Sequence, residues 1–361
     1  MEKQHQIFFE FLRFCIGSES EIPSSLKEAD WKELYRIAQK QCLVGILFDG
    51  IQKLPPAEVG MNKDLLLQWM MQCQMLEKAN MRLNDAVIQV SEWFKKKGFR
   101  TCILKGQGNA LLYPNGLHRT PGDIDIWVEG GDKRVISFVR SISPHEKACY
   151  HHIEFPSYKG VEVEVHYRPS FLLCFWHNRK LQKYYERVKE EQFSHRVMLG
   201  EQGEIAIPTV EFNLIFQLTH IYAHLMNEGI GLRQLLDYYY VLISDDLLLI
   251  RDRVQKELKE LGLWKFAGAI MYIMQEVFGM PASRLIVPPN EKYGKFVLNE
   301  VLEAGNFGKH DERNRFGRSK LGHNLQRVYR DIRLVRYFPA EALCEPIFRV
   351  WHFFWRLKHR R

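Results

Sequence analysis

Seven residues constrain this chain more than any other stretch. Gly122-Asp123-Ile124-Asp125-Ile126-Trp127-Val128 alternates polar and apolar positions with a period of two, the pattern of a half-buried strand. Ile124, Ile126 and Val128 share one face; Asp123, Asp125 and Trp127 share the other. Carboxylates two residues apart stand roughly 6.5–7 Å from each other along a strand. Left bare they repel, and that repulsion strips stability from the strand. A divalent cation is the simplest compensation. Mg²⁺ suits it, because Mg²⁺ takes one or two carboxylates and completes its shell with water and substrate phosphate. The stretch is not an EF-hand loop: Trp127 stands at the third ligand position and no glycine occupies the sixth.

Length and composition leave room for a substantial core around such a strand. The chain has 361 residues, 46% hydrophobic and 13% aromatic, enough for two or three domains. No run of 18 apolar residues occurs, so no membrane span is expected. The N-terminus carries Glu2 and no small-residue cleavage site, so no signal peptide is expected. Seven cysteines lack any C-x-x-C pair or regular spacing. They read as reduced core thiols of a cytoplasmic protein. The formal charge is +8, but the segment after Gly305 holds 14 Lys or Arg against 5 Asp or Glu. The rest of the chain is therefore close to neutral. A basic tail of this kind either holds a polyanion such as nucleic acid or forms a solvated helical face.

The order of elements predicts an α+β fold. Residues 5–50 read as helical, with Asp30 as an N-cap and Pro55-Pro56 closing the unit. A long helix is expected from Lys63 to Lys97, ended by Gly98. Its Met and Trp stripe is core packing. Thr101–Leu104 is a short buried strand, and Lys105-Gly106 turns it into a short helix over Gln107–Tyr113. A strand, a glycine turn and a helix N-terminus together offer a phosphate seat. Asp132–Ile142 reads as a helix. Strands follow around Cys149–Phe155 and over Val161–Tyr167, the second again with strict period two. Val161, Val163 and Val165 face one way, and Glu162, Glu164 and His166 the other. If this strand pairs beside the Asp123 strand with its valines in the core, the two acidic faces join. From Pro208 onward the pattern is helical. The segments are 1–97 (helical), 98–205 (sheet core) and 206–361 (helical, with the basic tail). The final helix mixes Trp and Phe with Arg and Lys, as interfacial helices do; packing on the domain is the favoured reading.

The ordered series LKG, RTPGDIDIWV, EVEVHYRP, LTHIYAHL and GLRQLLDYYYVL resembles an uncharacterised bacterial nucleotidyltransferase family within the DNA polymerase β-like superfamily. The resemblance runs over about Trp31–Tyr240. It implies a small mixed sheet flanked by helices, with two metal ligands on one strand and a third carboxylate on a neighbouring strand. Asp123 and Asp125 match the paired ligands and Glu164 the third. Lys105 and Gly106 stand at the turn over the nucleotide phosphates, and Arg119 precedes the acidic pair as in similar sequences. This chain departs from the superfamily in two places. Its turn reads Lys-Gly-Gln with no serine, and its third carboxylate is a Glu, with Glu162 on the same face as a rival.

The implied chemistry is transfer of a nucleoside monophosphate from an NTP, with Mg²⁺ or Mn²⁺ as cofactor. The acceptor is expected to be a small-molecule hydroxyl. The alternatives are a tRNA- or protein-directed enzyme, or an inactive nucleotide- or RNA-binding protein. A decayed site should have lost a carboxylate, and all three are present. Four further residues stand one helical turn apart in pairs. His220 and His224 read as core or acceptor-pocket histidines, because no His-Glu-x-x-His signature accompanies them. Arg233 and Asp237 read as a structural ion pair.

Overall fold

A computed structural model of the chain describes residues 3–56, 59–201, 203–308, 311, 313 and 320–359. Part of the basic tail (Lys309, Arg315, Arg318, Arg360 and Arg361) lies outside the described residues. Helices open the chain: α1 (Lys3–Ile16), α2 (Trp31–Lys40), α3 (Val44–Lys53) and α4 (Lys63–Lys96). Asp30 caps α2, accepting from Lys32 N and Glu33 N, and Asn62 caps α4, accepting from Leu65 N. Each cap satisfies amide groups that a helix start leaves orphaned.

The sheet region follows as β1 (Thr101–Ile103), α5 (Gln107–Ala110), β2 (Ile124–Val128), α6 (Gly131–Ile142), β3 (His152–Tyr158) and β4 (Val161–His166). Then come α7 (Phe175–Ser194) and a hairpin of β5 (Arg196–Leu199) with β6 (Gly203–Ala206). Helices close the chain: α8 (Val210–Asn227), α9 (Leu232–Leu242), α10 (Leu247–Glu260), α11 (Trp264–Glu276), α12 (Glu291–Ala304), α13 (Lys320–Val335) and α14 (Pro339–Lys358). The fold is α+β, as expected. Sequence periodicity missed α7, whose apolar positions are diluted by Lys, Arg and Glu, and the β5–β6 hairpin.

The four-stranded sheet has the order β1-β2-β4-β3. β2 runs antiparallel to β1 and parallel to β4, with Asp125 opposite Glu164 and Ile126 opposite Val165. The conditional pairing of the two acidic strands is thus the pairing that forms. One face of the sheet, carrying Ile124, Ile126, Val163 and Val165, packs on Val87, Val90 and Phe94 of α4 and Val135 and Val139 of α6.

The other face departs from the half-buried expectation, since every residue of β2 is buried. Trp127 packs at a tilt against Phe193 of α7 and stacks on Phe212 of α8, at ring-centre distances of 4.6 and 5.9 Å. Asp125 and His166 on this face are therefore buried, whereas Asp123 and Glu164 are partly exposed and Glu162 is exposed. A second apolar core runs without a break from Ile7 and Phe11 of α1 through α8 and α9 to Phe348 of α14.

α13 packs along α14, and a pair of acids lies between them. Burial and the neighbouring Glu345, against the pull of Arg349 and Arg327, raise the Asp331 carboxyl to about 7. A raised acid favours the folded state while it is protonated. That contribution is complete below the unfolded carboxyl range and fades as pH rises through about 7. We expect stability to fall by up to about 1.4 kcal/mol per pH unit between the ordinary carboxyl range and about pH 7, and to level off above that point. Asp331→Asn, which still donates to Glu345, should flatten the loss. Urea unfolding of both proteins at pH 6 and pH 8 reads the difference, and parallel pH profiles would exclude the shared proton.

Candidate active site

The turn after β1 depends on one glycine. Gly106 has φ +63° and ψ −112°, a combination closed to residues with a Cβ. Space is not the constraint, because an added Cβ would stand 3.5 Å from Asp123 O. The helix that follows is a single turn, Gln107–Ala110, shorter than expected and too short for a substantial dipole. The turn swings Lys105 towards the second strand. Its Nζ lies 3.1 Å from Asp125 Oδ2 and 3.3 Å from His220 Nε2 on α8.

Asp123 ends the loop before β2, Asp125 lies within β2, and Glu164 sits opposite Asp125 on β4. Pleat and parallel pairing bring one oxygen of each to within 4.8 Å of the others. Glu162 is exposed on the same strand and stands outside that group. His166 adds a contact that spacing alone did not foretell: its Nε2 lies 2.9 Å from Asp125 Oδ1 and 3.4 Å from Glu164 Oε2. β3 brings His152 Nδ1 to 3.3 Å from Glu164 Oε2, with His151 beside it. Sequence reasoning passed over these two. The available signal was the pair His151-His152 opening a strand that faces His166.

Charge here is held by partners against burial. Burial pushes the Asp125 carboxyl up, but Lys105 and His166 pull it below its ordinary value. Glu164 is likewise driven down to about 2, where hydrogen bonding from His166 and the charge of His152 outweigh burial. For His166, burial is outweighed by Asp125 and Glu164, and it rises to about 9. Burial drives His152 down to about 4 and His151 and His220 well below the usual histidine range. The site is therefore a set of carboxylates with cationic Lys105 and His166 against them and neutral His151, His152 and His220 around.

Asp125 Oδ2 is buried, and despite Lys105 nearby no donor among the described residues makes a hydrogen bond with it. Three carboxylates converge here on two cations, Lys105 and His166, which leaves negative charge that a divalent ion would balance. The residues present thus fit a divalent ion, and their oxygens suit Mg²⁺ or Mn²⁺.

Arg119 has a different setting from a solvent-facing phosphate ligand. It is buried, and its Nε and Nη2 each donate to Asp237 of α9 at 2.8 Å. Tyr113 Oη donates to Asp237 at 2.7 Å. The bidentate partner of Asp237 is therefore Arg119, where helical spacing pointed to Arg233. Arg233 stands close enough for its charge to act on both. Asn80 of α4 donates to the carbonyls of Leu117 and Arg119, and Thr120 to the carbonyl of Cys42. These bonds pin the loop that delivers Asp123.

His220 and His224 lie 3.0 Å apart (Nε2 to Nε2) and line the cleft behind Lys105. The cleft measures about 1120 Å³ and also takes in Arg119, Arg233 and Asp237. Arg327, Arg349, His352 and Arg356 of α13 and α14 form its far wall.

A small mixed sheet with three carboxylates on, or just before, two adjoining parallel strands, flanked by helices, is a nucleotidyltransferase-like arrangement. The chain belongs to the family described as uncharacterised nucleotidyltransferase, whose model matches residues 27–279. Among solved structures it is similar to an antigenic nucleotidyltransferase-like protein from Paracoccidioides brasiliensis. That likeness has 14% identity, covers 50% of this chain and 90% of the other, and has a TM-score of 0.29. No curated protein matches the chain.

Proposed function

We propose that this protein is a metal-dependent nucleotidyltransferase that moves a nucleoside monophosphate from an NTP to the hydroxyl of a small acceptor. The observation that carries the reading is the convergence of Asp123, Asp125 and Glu164 within 4.8 Å, with an undirected oxygen on Asp125. Family membership agrees with it. The acceptor oxygen attacks the α-phosphorus, its bond to the bridging oxygen breaks, and pyrophosphate leaves. Divalent ions, when bound, supply Lewis-acid stabilisation of the charge that gathers on these oxygens.

The chain's own residues hold and orient. Asp123 and Asp125 are the paired ligands, and Glu164 helps to activate the acceptor hydroxyl either as the third ligand or as the base that takes its proton. His166 fixes Asp125 and Glu164 in place by donating to them. Lys105 meets the β- and γ-phosphates once the acid cluster has a divalent ion, and Gly106 sets the turn that aims it. Arg119 acts mainly through position, holding the loop before Asp123 against Asp237. The cleft, at about 1120 Å³, exceeds the usual 300–1,000 Å³ or so of a single-ligand pocket. It accommodates a donor and a small acceptor together. An NTP donor is consistent with a reaction in the cytoplasm.

The test is a melting screen of the full chain with each NTP, with and without Mg²⁺ or Mn²⁺. A rise that needs both metal and nucleotide is expected, of about 2.7 kcal/mol at a hundred times Kd. No rise with any NTP, at concentrations that saturate a control nucleotidyltransferase, would overturn the reading in favour of an inactive fold.

A further inference from the structure

The last two helices are inside out. On α14, Glu341 and Glu345 are 2% and 3% exposed, while Ile347 and Phe354 are 60% and 63% exposed. The outward row Leu343, Ile347, Val350, Phe354 and Leu357 advances by four and three residues, so it forms one stripe. α13 repeats the pattern: Arg330 and Asp331 are buried, and Leu325, Val328 and Ile332 are exposed. The inward polar groups have partners. Glu341 accepts from Leu173 N and Cys174 N at the start of α7, and Arg330 donates to Glu228 O. Among the described residues the outward apolar groups stay exposed, with Phe354 meeting only its neighbour Phe353 in a ring contact, and so much exposed apolar surface marks an interaction site.

We propose that the outer face of the α13–α14 hairpin docks on an anionic lipid surface. Charge decides the occupant. The three acidic residues between Lys320 and Lys358 (Asp331, Glu341 and Glu345) are all buried, whereas Arg336 and Lys358 are exposed and lie outside the cleft lining. The outward face therefore offers apolar side chains and cations and no anion. A second copy would bring the same cations across the seam, with no flanking acids to pair with them. Anionic lipid supplies both an apolar interior and negative headgroups, with long basic side chains reaching back to the phosphates.

The helices lie on such a surface and do not cross it, since none among the described residues is long and apolar enough. The same hairpin presents Arg327, Arg349 and His352 to the cleft on its inner side. Docking would hold the cleft about one helix diameter, 10–12 Å, from the lipid. The inference does not depend on the proposed transfer reaction.

Co-sedimentation of the full chain with vesicles tests it, using phosphatidylcholine alone and a three-to-one mixture of phosphatidylcholine and phosphatidylglycerol. Binding to the mixed vesicles alone, weakened by added salt, is expected. Ile347→Glu/Phe354→Glu and Arg336→Glu/Lys358→Glu should each weaken it by about tenfold or more. Unchanged melting temperatures and cleft binding would show that both variants fold. No binding to either vesicle would overturn the proposal, as would equal binding to both. A dimer in solution that the Ile347→Glu/Phe354→Glu variant converts to monomer would replace lipid with a second copy.

Discussion

Asp123→Asn should leave the protein folded and remove the metal-dependent stabilisation by NTP. Asp123 sits on the loop side of the carboxylate group and is only partly buried, so the substitution breaks no core contact. It removes one negative charge from a site where ligand oxygens must offset a divalent ion. Wild type should gain about 2.7 kcal/mol at a hundred times Kd of nucleotide with metal, and the variant close to none. EDTA should abolish the wild-type gain to the same extent. Once an acceptor is in hand, turnover should fall by about a hundredfold or more.

Asp125→Asn is the less clean experiment. Asp125 is 1% exposed and holds Lys105 and His166, so its loss would strand buried cations and destabilise the fold as well. If Asp123→Asn kept a full metal-dependent shift, the ion would have to be held elsewhere, and the proposed roles of the triad would fail.

Arg119→Met should destabilise the protein by about 3–5 kcal/mol, because it leaves Asp237 buried with its main cation gone. Asp237→Leu should cost a similar amount and also free Tyr113. The double variant should recover more than half of the loss, since a buried pair replaced by apolar groups of similar size is often close to neutral. Urea unfolding of the four proteins gives the coupling energy directly. Single variants within about 1 kcal/mol of wild type would mean that the pair does not anchor the loop.

The same cycle separates two roles for Arg119. If the arginine acts by holding the loop, the stable double variant should regain most of its NTP–metal shift. If the guanidinium meets phosphate itself, the shift should stay weak even when stability returns.

The alternation of residues 122–128 and of 161–166 was sufficient to identify two strands, their faces and three carboxylates, because side-chain direction in a strand follows position alone. The capping residues Asp30 and Asn62 act through neighbours two or three positions away, so the helix starts they cap form where local sequence puts them. Membership of the nucleotidyltransferase family was legible from the order of motifs for the same reason: each motif is a short local pattern.

Other features needed the tertiary structure. Periodicity places Trp127 on the face of Asp125 but cannot say that α7 and α8 cover that face, so the strand looked half exposed. The partner of Asp237 could not be read from helical spacing, since Arg119 lies 118 positions away and reaches it only when the loop packs on α9. His151 and His152 join the carboxylates only through the antiparallel return of β3. The sequence also carried the apolar stripe of α14, but which side of that helix faces water is a property of what packs against it. Local chemistry sets an element and its faces; long-range packing decides which face is buried, and that burial turns ordinary carboxylates and histidines into a charged site.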